Sequence, residues 1–239
     1  MQDPVFNPRP TINRVPMGNG RYCYIVDDAL LEPERFVEWA VANRDGFRPV
    51  DFNAYPGVYL MTPAPVEAAL ASFFTTRIRP LFDARRLAQM HCRLSMVTMP
   101  PNALRPYQWL CHSDRGGLER GQSIQASVLY LFKDESLGGT SFYEPVRPAG
   151  EIARMFDDSV NLSAAMFTER HGIDPGYMLG SNRYFNQTAS VPGRWNRMIF
   201  YDGAVLHTGD IAAPEKLDDD PGRGRLTFNG FFVSRRHAA

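Results

Sequence analysis

His112, Ser113 and Asp114 set an imidazole and a carboxylate two positions apart. In an extended segment residues two apart point to the same face, so the two side chains can converge on one point. An imidazole nitrogen and a carboxylate oxygen are two of the three donors in the two-histidine, one-carboxylate arrangement. That arrangement holds Fe(II) and leaves adjacent positions open for a cosubstrate and O₂. Alone the pair is weak, because an HxD match arises often by chance. A third donor comes from His207, which follows a strand and a turn in NRMIFYDGAVLHTG (196–209). The expected metal ligands are therefore His112, Asp114 and His207. His91, His171 and His237 lack a partner at ligand spacing and read as structural or exposed.

Further along, Arg225-Leu226-Thr227 opens the apolar run RLTFNGFF. As a strand it would send 225, 227 and 229 to one face. A buried guanidinium needs an anion to neutralise it, and its planar fork suits a carboxylate. A small diacid meets both demands, with one end on the metal and its distal carboxylate on Arg225 and Thr227. Arg223 is a rival anchor. Gly222 and Gly224 mark a turn around it, whereas Arg225 heads the strand with a hydroxyl beside it, so Arg225 is preferred. Arg93, Gln108 and Trp109 lie near the expected mouth of such a site, where structural roles are at least as frequent as substrate contact.

These residues need elements to position them. Tyr22 to Val26 reads as a short strand, followed by a helix over about 32–43 with Phe36, Trp39 and Ala40 on one face. A second helix is expected over 65–82, ended or kinked at Pro80. From about residue 87 the pattern changes to short runs rich in Val, Tyr, Phe and Leu between turn residues: 92–99, 123–132, 140–143, 196–201 and 225–233. Together they predict a β-sandwich or barrel. Residues 150–172 interrupt them with helical spacing and read as an insertion over one end. KLDDDPGRGR (216–225) reads as a solvated loop.

Composition narrows the function classes. Lys plus Arg (26) equals Asp plus Glu (26), so neither nucleic acid nor a membrane surface is indicated as a partner. MQDPVFNPRP shows no secretory leader. The three cysteines lack CxxC spacing, which fits buried free thiols and a cytoplasmic location.

The chain resembles the Fe(II)/2-oxoglutarate-dependent oxygenase superfamily, and within it the prolyl-hydroxylase-like branch. The resemblance rests on YIVDDALLEPERF, His112-x-Asp114, the later His207, Arg225-x-Thr227, the strand ending SVLYLF and the Gly138-Gly139 step. It implies a mostly β fold with flanking helices: a double-stranded β-helix (a cupin-like jelly roll) with N-terminal helices and a helical insertion. One domain over 1–239 is expected, with a helical flank at about 22–86, the core at about 87–235 and the insertion at about 145–190. The resemblance adds Tyr130 to Arg225 and Thr227 as a cosubstrate contact. It also implies Fe(II), 2-oxoglutarate and O₂, and hydroxylation of a C–H bond in a small molecule or peptide, with succinate and CO₂ released. Asp114 occupies the coordination position that halogenases of the superfamily leave for halide, which favours hydroxylation. In two respects the chain departs from the branch: His207 and Arg225 lie farther apart than usual, and the insertion is long. A jelly-roll binding module with a vestigial metal site is the alternative, and a cupin-type enzyme without 2-oxoglutarate a third reading.

Overall fold

The computed structural model describes residues 5–49 and 55–237. The first four residues of the segment read for a leader lie outside the described residues. In chain order the strands and helices are β1 (Ile12–Pro16), β2 (Tyr22–Val26), α1 (Glu34–Ala42), β3 (Arg48–Pro49), β4 (Gly57–Met61), α2 (Ala64–Phe73), β5 (Arg86–Val97), β6 (Gln122–Tyr130), β7 (Thr140–Pro145), α3 (Ala149–Asn161), α4 (Ala164–His171), β8 (Phe185–Val191), β9 (Met198–Asp202), β10 (Leu206–Gly209) and β11 (Arg225–Arg235).

Two antiparallel sheets result: an eight-stranded one in the order β1-β2-β9-β6-β11-β5-β4-β3 and a three-stranded one in the order β10-β7-β8. With the flanking helices they make the expected jelly roll.

Side-chain alternation along β11 shows how one strand serves two environments. Leu226, Phe228 and Phe232 face the N-terminal helices, where they are fully buried with Phe36, Leu70 and Phe74. Phe74 stacks on Phe232 at 3.9 Å between ring centroids, and Phe36 meets Phe228 at 5.0 Å. Gly230 lies on that same face, where a Cβ would come within 2.7 Å of Leu70, so α2 rests directly on the strand. Arg225, Thr227, Asn229 and Phe231 point the other way, into a cavity.

Several expected boundaries shift. The helix read over 65–82 stops as α2 at Phe73, continues as one wide π turn over Phe74–Ile78 and closes as a 3-10 turn over Arg79–Leu81. Pro80 has no N–H to give an α-helical ladder, which accounts for the change. β5 starts at Arg86 rather than at 92, because its outer half pairs with the end of β11 although its side chains are mostly exposed. The insertion is shorter than expected: residues 185–190 belong to β8, which pairs with β7, so only 146–184 lie outside the sheets.

Within that insertion α3 and α4 are tied by a buried relay. His171 reaches the Tyr184 hydroxyl through Nδ1 at 2.8 Å and Asp158 through Nε2 at 2.9 Å. His171 is thus structural, as its lack of ligand spacing suggested. Met155, Phe167 and Phe185 pack there against Trp109, Leu110 and Cys111, the residues just before His112. Trp109 is core, its indole N–H donating to the Leu104 carbonyl at 3.2 Å. All three cysteines are buried and free. Among the described residues no helix is long and apolar enough to cross a membrane.

Candidate metal centre

His112 and His207 come from opposite ends of the core sequence and meet across one antiparallel bridge. Each backbone N–H donates to the other's carbonyl, at 2.9 and 2.8 Å. Their rings stand 4.5 Å apart between centroids. Asp114 is fixed two residues later, where its N–H donates to the Gly203 carbonyl at 2.7 Å. Gly203 permits this closeness, since a Cβ there would lie 3.2 Å from the Asp114 carboxylate. The strand-borne alternation expected for residues 112 and 114 is therefore realised by three backbone bonds rather than by a long strand.

The potential donor atoms of the three side chains all lie within 4.8 Å of one another. Asp114 Oδ1 is 3.9 Å from His112 Nε2, and Oδ2 is 3.5 Å from His207 Nε2. Two atoms each about 2.1 Å from one ion can be at most about 4.2 Å apart, so both Asp114 pairs meet that limit, and the widest separation, 4.8 Å, exceeds it by an amount that a side-chain adjustment closes. Asp114 Oδ2 is buried without a hydrogen-bond partner among the described residues. A buried carboxylate oxygen in that condition calls for a cation.

His207 adds a further indication. Its Nδ1 sits 2.9 Å from the Val205 carbonyl, an acceptor, so this nitrogen donates and Nε2 is the ring nitrogen turned toward Asp114. Tyr201 packs edge-on against the ring at 4.7 Å and limits its rotation. His112 has half of its side chain exposed (50%), but that surface faces the cavity, with protein around the rest. Removal from bulk water lowers its pKa to about 4, helped by neighbouring His207 and opposed by Asp114. His112 is thus presented in the neutral form that ligates metals.

The three side chains open into a cavity of about 350 Å³ between the two sheets. Arg225, only 4% exposed, lines the same cavity. Its Nε donates to the Leu137 carbonyl at 2.8 Å, and its Nη2 to the carbonyls of Gly139 at 2.8 Å and Gly138 at 3.3 Å. These bonds aim the guanidinium, yet it forms no salt bridge among the described residues, leaving a buried positive charge on a cavity wall. Gly138 has φ +83°, and a Cβ on it would fall 1.4 Å from the Asp210 carbonyl oxygen, so the tight step that presents these carbonyls requires glycine.

Thr227 lines the cavity beside Arg225. Arg223, the rival anchor, is 71% exposed and paired with Asp218 at 2.9 Å on the surface. Tyr130, expected at the cosubstrate, stands behind the wall: it is fully buried and donates to Thr140 Oγ1 at 2.9 Å, and Thr140 is the residue that lines the cavity. β7 intervenes and captures the phenol.

Other lining residues were not anticipated. Tyr55 precedes β4 and Tyr59 lies within it, Tyr177 comes from the insertion, and Asn229 continues the face of Arg225 and Thr227. Tyr177 donates to the Met99 carbonyl at 2.6 Å, which fastens the insertion over the cavity. Only Asn229 carried a sequence signal, the two-residue alternation along β11.

A model of DUF6445, described as a family of unknown function, matches residues 8–232. The chain belongs to this DUF6445 family. No curated protein matches the DUF6445 chain. Among solved structures it is similar to SnoK, a non-heme alpha ketoglutarate dependent carbocyclase from nogalamycin biosynthesis. Identity is 12% over 89% of this chain and 79% of that one, with a TM-score of 0.50. HygX from Streptomyces hygroscopicus, solved with nickel, 2-oxoglutarate and hygromycin B bound, also matches, at 12% identity over 89% and 82% of the two chains and a TM-score of 0.48. The epimerase SnoN from nogalamycin biosynthesis matches at 12% identity over 90% and 80%, with a TM-score of 0.46. The likeness to SnoK establishes a common jelly-roll fold for this DUF6445 member.

Proposed function

We propose that this chain is an Fe(II)- and 2-oxoglutarate-dependent oxygenase that hydroxylates a C–H bond and releases succinate and CO₂. One observation carries the reading: a single cavity is lined both by the His112, Asp114 and His207 donors and by the buried, carboxylate-free Arg225. Iron held by the three side chains would supply the redox chemistry with O₂ that side chains lack. The chain's own residues have the remaining tasks.

Arg225 and Thr227 grip the distal carboxylate of 2-oxoglutarate, and Tyr130 supports that end indirectly by orienting Thr140. The Leu137 and Gly139 carbonyls hold the guanidinium in one orientation before the cosubstrate arrives, so little ordering is needed on binding. His207 keeps its proton on Nδ1 through Val205. The aromatic walls and the Tyr177 contact keep bulk water out.

The same reading takes the chain as one oxygenase domain of the prolyl-hydroxylase-like branch, working in the cytoplasm without nucleic-acid or membrane partners. Its support is the triad spacing, the Arg225-x-Thr227 pair and the balanced charge. Protein supplied with Fe(II), ascorbate and 2-oxoglutarate should release succinate, slowly even without substrate. A folded sample that binds metal but yields no succinate under any loading would favour the binding-module alternative.

A further inference from the structure

Arg93 is a second guanidinium on the cavity wall, and the cosubstrate does not account for it. It sits on β5 directly opposite Asn229 of β11. Asn229 is four residues along the strand from Arg225, about 13 Å at roughly 3.3 Å per residue. Arg93 and Arg225 are therefore separate cations on the cavity wall, and a diacid anchored at Arg225 does not by itself neutralise Arg93.

Two aromatic rings flank the Arg93 guanidinium, with its carbon 4.0 Å from the Tyr59 ring centroid and 4.8 Å from that of Phe231. Stacking occupies the faces of the planar cation and leaves its N–H edges for an in-plane acceptor. Its Nε is buried without a hydrogen bond, and the residue forms no salt bridge among the described residues. Across the register Asn229 donates through Nδ2 to Ser95 Oγ at 3.2 Å, while its Oδ1 is buried and accepts nothing. A donor edge and an acceptor thus stand side by side, both unused.

A group that satisfies both carries an anion and an adjacent N–H or O–H. We infer that the substrate is a small amino or hydroxy acid, its carboxylate on Arg93 and its donor on Asn229 Oδ1. The word substrate here rests on the oxygenase reading above. The cavity's volume is on the small-molecule scale of roughly 300–1,000 Å³, and Tyr55, Tyr59, Tyr107 and Phe231 suit a flat apolar body.

The test is equilibrium binding of three probes to the whole chain loaded anaerobically with Mn(II) and 2-oxoglutarate: 3-phenyllactate, 3-phenylpropanoate and phenethylamine. Phenyllactate should bind tightest, phenylpropanoate less tightly, and the amine not at all. Arg93→Met should weaken both acids by about tenfold or more while 2-oxoglutarate affinity holds. Asn229→Leu should erase the preference for phenyllactate over phenylpropanoate. Amine binding equal to that of the acids would overturn the inference without recourse to any variant. So would Arg93→Met binding the acids like the parent, or losing 2-oxoglutarate with them. Wild-type protein that binds the acids through Arg93 but never binds 2-oxoglutarate would sink the oxygenase reading and leave the anion site standing.

Discussion

The Leu137 carbonyl accepts the Arg225 Nε–H at 2.8 Å, so a turn outside the sheet sets the direction of a guanidinium that begins β11. With Gly138 and Gly139 the same turn supplies three backbone acceptors to one side chain. The cation is consequently stable without a carboxylate and remains able to receive one from solution.

Arg225→Lys tests that arrangement. Lysine keeps the charge and loses the fork, so the three carbonyls are no longer all satisfied. Stability should fall by about 1–3 kcal/mol, read from urea midpoints. Affinity for 2-oxoglutarate should fall by about tenfold or more, read by calorimetry on Mn(II)-loaded protein. Arg223→Lys on the exposed loop should change neither.

Gly138→Ala should be more damaging than its size suggests. A left-handed φ costs an alanine about 1 kcal/mol or more, and the Asp210 carbonyl stands where the new methyl would go. The chain must shift, and the Arg225 acceptors move with it. Thermal unfolding should drop by several degrees and 2-oxoglutarate binding should weaken together with it. Gly116→Ala, at a glycine with open space around it, is the control.

Acid sensitivity should show a contribution from Asp27. Arg197, nearly buried, holds this carboxylate through Nε and Nη2 at 2.6 and 3.0 Å, and those hydrogen bonds keep the Asp27 pKa below its ordinary 3.8. A group with a depressed folded pKa stabilises the fold fully above the unfolded value, and loses that contribution as pH falls through the folded one. Asp27 is about half exposed, so its share is near 1 kcal/mol. Asp27→Asn should lower the urea midpoint at pH 7 and make the further decline between pH 4 and pH 2 shallower than in the parent.

Sequence reading reached the site where short-range geometry dictates it and stopped where tertiary contacts do. The β11 alternation was legible because Leu226, Phe228 and Phe232 form one apolar face, which forces Arg225 and Thr227 onto the other. The outer half of β5 was hidden because RLAQMH carries no apolar alternation, and its pairing with β11 alone makes it a strand. β8 was absorbed into the insertion for a similar reason, since FNQTASV is polar at its middle positions. Tyr130 was misplaced by resemblance: the motif supplied a tyrosine, but Thr140 from a neighbouring strand stands between it and the cavity. Tyr55, Tyr59 and Tyr177 come from separate elements, and no local pattern announces their convergence.

The central claim is that His112, Asp114 and His207 hold one divalent ion, and a Mn(II) titration of the whole chain followed by electron paramagnetic resonance tests it most directly. The expected result is one bound ion per chain, weakened more than about 100-fold in His207→Ala and in Asp114→Ala while both variants stay folded. Added 2-oxoglutarate should change the spectrum in the parent. Folded protein that takes up no ion, or variants that bind it as the parent does, would contradict the claim.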